Sequence, residues 1–382
     1  MLKIGVIGYG NRITPIVDKL ISTGEVMLVA ITDIRNGEIR DTLGKKGVEG
    51  VTLYTDAEEM MQKESLDGVL IGTRCSTHTD YAVKVSKFGL PLFLEKPVCT
   101  NEVDLARLYG ILPYMNDKTV VSFPLRVTSI FEKVKEIVDS GRLGKIEHVQ
   151  AYNNVSYGRG YYHKWYRDEN ETGGLFLQKA THDLDYLCAL LEDNKPVRIC
   201  AMKSKQIFKG DEPAGKKCAE CEKSAECPES PENVRKLGDR NIIGEYCCFA
   251  VDTGNEDSGS CIVEFESGMH VVYSQNFIVR GLAGKRGARL VGYLGTLEFD
   301  WNSNKITVYS HTEMKKDEIT PDASAAGHFG GDINLVKNFV EVMKGTAKPV
   351  TTLEEGILSA KLCLAAKESS EKHIFVDIQP ST

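Results

Sequence analysis

Residues 3–20 read KIGVIGYGNRITPIVDKL, and how this stretch is read decides the fold. The run KIGVIG is apolar without alternation, as expected of a strand buried on both faces of a parallel sheet. Gly8 and Gly10 follow at once, and a helical pattern starts near Arg12. Two glycines between strand and helix let backbone N–H groups approach a pyrophosphate and offer it the positive end of the helix. Tyr9, Asn11 and Arg12 share that turn, but Ile13 stands where the G-x-G-x-x-G fingerprint has its third glycine. The turn alone therefore does not separate a nucleotide site from a plain strand–helix connection. The second strand adds to it by ending VAITDIR, with Asp33 about 25 residues after Gly8. A carboxylate there accepts hydrogen bonds from the adenosine ribose and repels a 2′-phosphate, which selects NAD. Arg35, with Ile34 before it, keeps NADP as the alternative.

Working outward, β-branched runs recur at 3–7, 26–32, 68–71, 91–94 and 119–123, with helical patterns at 12–22, 57–64, 77–88 and 102–114. This alternation predicts a doubly wound parallel α/β Rossmann domain over residues 1–123. Past Phe123 the pattern changes. Apart from helices near 129–140, 173–192, 331–344 and 353–369, the signals between 197 and 308 are half-alternating strands with tight turns. They predict an α+β domain over 124–382 built on a large, mostly antiparallel, open-faced sheet. Residues 209–245 are polar and cysteine-rich, and read as a surface excursion from it.

The 382 residues are 42% hydrophobic and 26% charged, with a net charge of −7. That balance opposes a nucleic-acid surface, which needs clustered Lys and Arg. No apolar run reaches the ~20 residues that span a bilayer. The chain enters its strand pattern at once, without a signal-peptide pattern, and its 11 cysteines are an odd number. A cytoplasmic protein with free thiols is expected.

Two stretches carry candidate chemistry. LFLEKPVCT (92–100) places Glu95 and Lys96 at the carboxyl end of a strand, where open α/β sheets bind ligands. GGLFLQKATHD (173–183) carries Lys179, His182 and Asp183 at i, i+3 and i+4 in an otherwise apolar helix. The plainer reading is a wet helix face with a Lys179–Asp183 ion pair. The functional reading is an active-site wall.

With these motifs in view, the chain resembles the Gfo/Idh/MocA oxidoreductases, which include glucose–fructose oxidoreductase and inositol dehydrogenase. IGTRCSTHTDYAVKVSKFGLPLFLEKPVCTNEVD (71–104) is similar to that family's strand–helix–strand module, with Thr73, Arg74 and His78 in it. PLRVTSIFEKVKEIVDSGRLGKIEHV (124–149) is similar to its crossover, with Arg126. WYRDENETGGLFLQKATHDLDYL (165–187) resembles its Gly-Gly…His-Asp helix, and GHFGGDINLVKNFVEVMKG (327–345) its late turn and helix.

The resemblance implies that Lys96 and His182 flank the substrate beside the nicotinamide. The family's Asp four residues before that histidine is Gln178 here, and Lys179 follows it. His182 or Lys179 is then the general base, while Lys96 stabilises alkoxide character on the substrate oxygen. The resemblance also brings Trp165 and Arg167 near cofactor and substrate. In YGRGYYHKWYRD (157–168), ring faces beside Tyr157 and His163 suit a sugar or cyclitol, an interface anchor being the plainer role.

The expected activity is an NAD-dependent dehydrogenase of sugar or polyol secondary alcohols, a homodimer or homotetramer through the second-domain sheet. A redox-neutral oxidation–elimination of glycosides is the alternative enzyme, and a non-catalytic nucleotide sensor the alternative binding protein.

One motif stands outside this scheme. CAECEKSAEC gives Cys218-x2-Cys221-x5-Cys227, with Cys247 and Cys248 about twenty residues on. Three thiolates plus Cys247 (or Cys248) would complete a tetrahedral structural zinc site. Free thiols on a loop are the competing reading, followed by a disulfide or an iron–sulfur role.

Overall fold

The computed structural model describes residues 1–236, 244–322 and 328–378. Residues 237–243 of the predicted excursion and Gly327 of the late turn lie outside them. The chain forms two compact units, Met1–Phe131 with Ala323–Lys361, and Glu132–Asp322 with Leu362–Thr382. The division expected at 123 differs from this one, which falls after Phe131 and groups Ala323–Lys361 with the first unit. The first unit recruits a late segment, because helix Gly331–Lys344 buries Leu335, Val336, Phe339 and Val340 in the same core as Ile13, Ile16, Val17 and Leu20.

In the first unit, strands β1 (Leu2–Ile7), β2 (Val26–Thr32), β3 (Thr52–Tyr54), β4 (Gly68–Ile71), β5 (Leu92–Leu94) and β6 (Thr119–Val121) form one sheet in the order β3-β2-β1-β4-β5-β6. All neighbours are parallel. Helices α1 (Ile13–Ser22), α2 (Asn36–Lys45), α3 (Ala57–Lys63), α4 (His78–Ser86) and α5 (Glu102–Met115) connect them. Strand order reverses direction at β1, so the carboxyl ends of β1 and β4 open a crevice suited to a ligand. The pair α2–β3 is absent from the sequence reading. Helix α2 buries only Ile39 and Leu43, and β3 is a three-residue edge strand, so neither carries a strong periodic signal.

The second unit holds a nine-stranded sheet in which only strands His270–Asn276 and Ile146–Asn154 pair in parallel. Strand Ser258–Phe265 alternates strictly between buried and exposed residues, the mark of a one-face-open sheet. The excursion is longer than predicted, running from the end of strand Pro196–Ser204 to the start of Ser258–Phe265. Residues 246–253 (YCCFAVDT), within the 197–308 stretch read as strands, form only isolated bridges at Tyr246 and Ala250. The predicted 173–192 helix is two elements, a π-helical turn at Phe176–Ala180 and an α-helix at Thr181–Leu190.

Candidate active site

The turn after β1 is shaped by close approach to β4. Gly8 has φ +80°, and a Cβ there would stand 2.5 Å from the Thr73 methyl. No side chain caps the α1 N-terminus and its first turn carries no acidic residue, so its N–H groups suit a phosphate. The missing third glycine is replaced from across the sheet. Gly72 faces Ile13 so tightly that a Cβ on it would lie 2.4 Å from the Ile13 Cβ. The helix still packs close, with the small residue on the strand instead.

Asp33 is buried at the end of β2 and accepts from the Tyr9 amide at 2.8 Å. It also accepts from the Arg35 amide at 2.9 Å and from the Arg35 guanidinium at 2.9 and 3.1 Å. Burial pushes its pKa up, but these donors outweigh it and the carboxyl is held below its ordinary value. The Asp33 anion therefore bridges the glycine turn and the second strand, where a ribose would lie. Ile34 beside it is almost fully exposed. Gly10 faces the Gly72 carbonyl at a spacing that leaves ordinary room. Tyr9 is buried, whereas Asn11 and Arg74 are exposed. These residues, with Thr73, can hold a dinucleotide; the glycine cradle and the uncapped helix are the features that fit it.

Three residues expected to touch the cofactor, Arg12, Glu95 and His78, also hold the frame. Arg12 reaches Glu95 at 3.0 Å, Asp332 at 2.8 Å and Ser122 at 3.0 Å. Glu95 is buried and also accepts from the Ser122 hydroxyl at 3.0 Å. Glycine turn, β5 end and late helix are thus tied by one ionic node. His78 is likewise buried, with Nδ1 2.8 Å from the Pro97 carbonyl. A carbonyl only accepts, so Nδ1 carries the proton. Burial lowers the His78 pKa. Thr79 donates to the Val98 carbonyl at 3.0 Å. Together His78 and Thr79 clamp the turn that carries half-buried Lys96. Neither Thr79 nor Ser122 is flagged by sequence, since each acts through a backbone or acid far along the chain. Arg126 is paired with Glu355 at 2.6 Å.

In the second unit, Gly173 and Gly174 both take positive φ, and the buried Glu256 carboxylate accepts from the Leu175 and Phe176 amides at 3.2 and 2.8 Å. An anion at that helix start is favourable, and it was not found by sequence because it arrives from a distant loop. Lys179 lies in the π turn, only 7% exposed. Its Nζ donates to the Tyr157 hydroxyl at 2.9 Å and stands 4.6 and 4.9 Å from the Tyr157 and Tyr161 ring centres. His182 is buried on the following turn. Asp183, fully buried, binds Arg286 at 2.7 Å, Tyr273 at 2.9 Å and Asn153 at 2.9 Å. The charge that meets Asp183 at 2.7 Å is thus Arg286, from a strand far along the chain. Gln178, in the family's Asp position, is buried too.

The remaining predicted contacts divide. Tyr157 is part-exposed beside Lys179, whereas His163 is buried with Nδ1 2.7 Å from the Tyr246 carbonyl. Trp165 stacks on Tyr166 at 3.9 Å. Arg167 is buried against Asp252 and Thr253, with its guanidinium over the Tyr246 ring. His163 and Arg167 thus serve the excursion. Cys218, Cys221, Cys227, Cys247 and Cys248 line one cavity with His163, although among the described residues no group is already set as a metal cage. Nor is any helix among them long and apolar enough to cross a membrane.

Two family models match this chain, over separate stretches. Residues 2–122 match an oxidoreductase family with an NAD-binding Rossmann fold, and residues 131–298 match the GFO/IDH/MocA C-terminal domain. Myo-inositol 2-dehydrogenase of Thermotoga maritima is 29% identical over 191 residues, 48% of this chain and 53% of that enzyme. The crystal structure of myo-inositol 2-dehydrogenase from Lactobacillus plantarum shares the fold, with TM-score 0.73 at 20% identity over 99% of both chains. Levoglucosan dehydrogenase in complex with NADH and levoglucosan does so with TM-score 0.76 at 16% identity, over 98% of this chain and 99% of that one.

Proposed function

This chain belongs to the Gfo/Idh/MocA family of NAD(P)-binding oxidoreductases, and on that premise we propose that it oxidises a secondary alcohol of a sugar, sugar derivative or cyclitol, with NAD as its cofactor. Bound nicotinamide would supply the hydride acceptor. Everything else is asked of the protein's own side chains.

The observation that carries the reading is the burial of Lys179 and His182 three residues apart, with Lys179 held by Tyr157. Burying two ionisable groups in an apolar segment is costly unless they are used or paired. Two ring faces and a phenol oxygen are partners for an ammonium rather than for a neutral amine. That environment favours Lys179 as a fixed cation and donor, and leaves His182 as the base that takes the hydroxyl proton. Lys96, clamped through His78 and Glu95, is assigned to hydrogen-bond the substrate oxygen as alkoxide character develops. Tyr157 and Tyr161 offer ring faces to a sugar. Arg126 is a further substrate contact only if its pair with Glu355 opens.

The Asp33 carboxylate supports NAD over NADP, since a 2′-phosphate would meet an anion. The exposed face of the nine-stranded sheet carries Ile262 and Met202 among polar residues, which supports assembly into a homodimer or homotetramer. The test is to identify the nucleotide retained on purification and to screen sugars and cyclitols for reduction of added NAD. Accumulating reduced nicotinamide supports a dehydrogenase. Glycoside cleavage without it would replace this reading with the redox-neutral reaction, and neither activity would leave a nucleotide sensor.

A further inference from the structure

The excursion between Ser204 and Ser258 has little to hold it together. Among its described residues the regular elements are one short 3-10 turn at Cys218–Glu220 and helix Pro231–Lys236. Its buried apolar side chains are few, chiefly Phe208, Val234, Cys248 and Ala250. Its exposed ion pairs, such as Lys236–Glu232, contribute little, and its buried ones, Arg159–Glu229 and Arg167–Asp252, tie it to the 157–168 segment rather than to itself.

The backbone nevertheless brings four cysteines together. The Cys218 amide donates to the Glu245 carbonyl and the Cys247 amide to the Lys216 carbonyl, both at 2.8 Å, with Lys217 and Tyr246 bridged antiparallel. Cys218 and Cys247 thus lie diagonally across this bridge, on the same face of the paired segments. A single turn closes from the Cys221 amide to the Cys218 carbonyl, and the following turn ends with the Cys227 amide on the Lys223 carbonyl. All four thiols line a cavity of about 20 Å³, room for one small ion. None is in a disulfide. Cys248 lines the same cavity but is also committed to an apolar cluster with Tyr162, Phe208 and Phe277.

We propose that Cys218, Cys221, Cys227 and Cys247 bind one zinc ion as a tetrahedral four-thiolate structural site, which braces the 157–168 segment. The thiols line the cavity without forming a cage among the described residues, and binding would draw them in to Zn–S bonds of ~2.3 Å. A bound dication favours the thiolate form of its cysteine ligands.

The brace is visible in the hydrogen bonds. His163 and Tyr246 exchange two, Nδ1 to the Tyr246 carbonyl at 2.7 Å and the Tyr246 amide to the His163 carbonyl at 3.2 Å. Asn255 donates to the Tyr161 and Tyr166 carbonyls, each at 2.8 Å, and Arg159 pairs with Glu229 at 2.7 Å. The metal site adjoins Tyr246, and Tyr246 holds the segment that bears Tyr157. Metal binding itself does not depend on the reaction assigned above.

The test is metal analysis of the full-length protein purified in reducing buffer without chelator, and again after incubation with zinc. About one zinc per chain is expected in the wild type and in Cys248→Ser, and its loss in Cys218→Ser and Cys221→Ser. Cobalt added to the wild-type protein after chelation should give a thiolate-to-cobalt charge-transfer band, which does not depend on a variant folding. No zinc in the wild type after either preparation, undiminished zinc in both serine variants, no such band, or disulfides among the four cysteines in the reduced protein would each overturn the assignment.

Discussion

Gly72 and Ile13 are in contact across the first βα turn, with no room for a methyl group between them. An added Cβ on Gly72 would stand 2.4 Å from Cβ and 2.8 and 2.9 Å from the two γ-carbons of Ile13. Ile13 lies on rigid helix α1, so it cannot swing away as a long flexible side chain would. Gly72→Ala is expected to destabilise the protein by about 1–3 kcal/mol through overpacking, read by denaturant unfolding. Adding Ile13→Ala should recover much of that loss, since residues in contact couple. An unchanged unfolding midpoint for the single variant would refute the tight packing.

Asp33 is the predicted arbiter of cofactor choice. Asp33→Ser removes the anion, frees the Arg35 guanidinium that it binds at 2.9 Å, and leaves the Tyr9 amide to water. Loss of a charge-assisted hydrogen bond costs about 1.5–3 kcal/mol, so NAD affinity should fall on the order of tenfold to a hundredfold. Affinity for NADP should rise, as Arg35 becomes a phosphate partner. Titration with both nucleotides checks this, and parallel weakening of the two would argue that Asp33 is only structural.

Lys96→Ala and His182→Ala are expected to lose turnover by about 10²–10⁴-fold, the usual contribution of a positioned proton-transfer group. NAD affinity should change far less. Lys179→Met tests the division of labour between the two second-unit groups. It should lower kcat while leaving the pH profile with its imidazole limb, whereas His182→Ala should abolish that limb. A limb that persists without His182 would transfer the role of base elsewhere.

The Arg12–Asp332 pair links stability to acid. Burial pushes the Asp332 carboxyl up, but the His328 and Arg12 side chains outweigh it and hold it well below its ordinary value. A depressed carboxylate stabilises the fold at pH above its unfolded pKa, ~3.9 for Asp, and that contribution is lost as pH falls towards the lower folded value. Asp332→Asn should therefore cost about 1–3 kcal/mol at neutral pH, and its stability should decline less steeply below pH ~4 than that of the wild type. Thermal unfolding of both proteins as a function of pH measures it. Curves that stay parallel through the acid range would disprove the linkage.

Much of the first unit is legible in sequence because its signals are local. A buried parallel strand needs a continuous apolar run, a phosphate-binding turn needs small residues at once after it, and a helix needs a periodic stripe; KIGVIGYGNRITPIVDKL contains all three. Lys96 and His182 are proposed on the same kind of signal, from motifs a few residues long. Tertiary structure alone decided which groups those residues answer to. Asp332 meets Arg12 across 320 residues of chain, and Arg286 meets Asp183 across 103. The helix at 331–344 joins the first core, and Gly72 makes room for Ile13 where the fingerprint lacks a glycine. Periodicity reports whether a side chain is buried and which way its backbone runs. It carries nothing about which distant charge or cavity the side chain will face, because that is set by packing among segments that have no local record of one another.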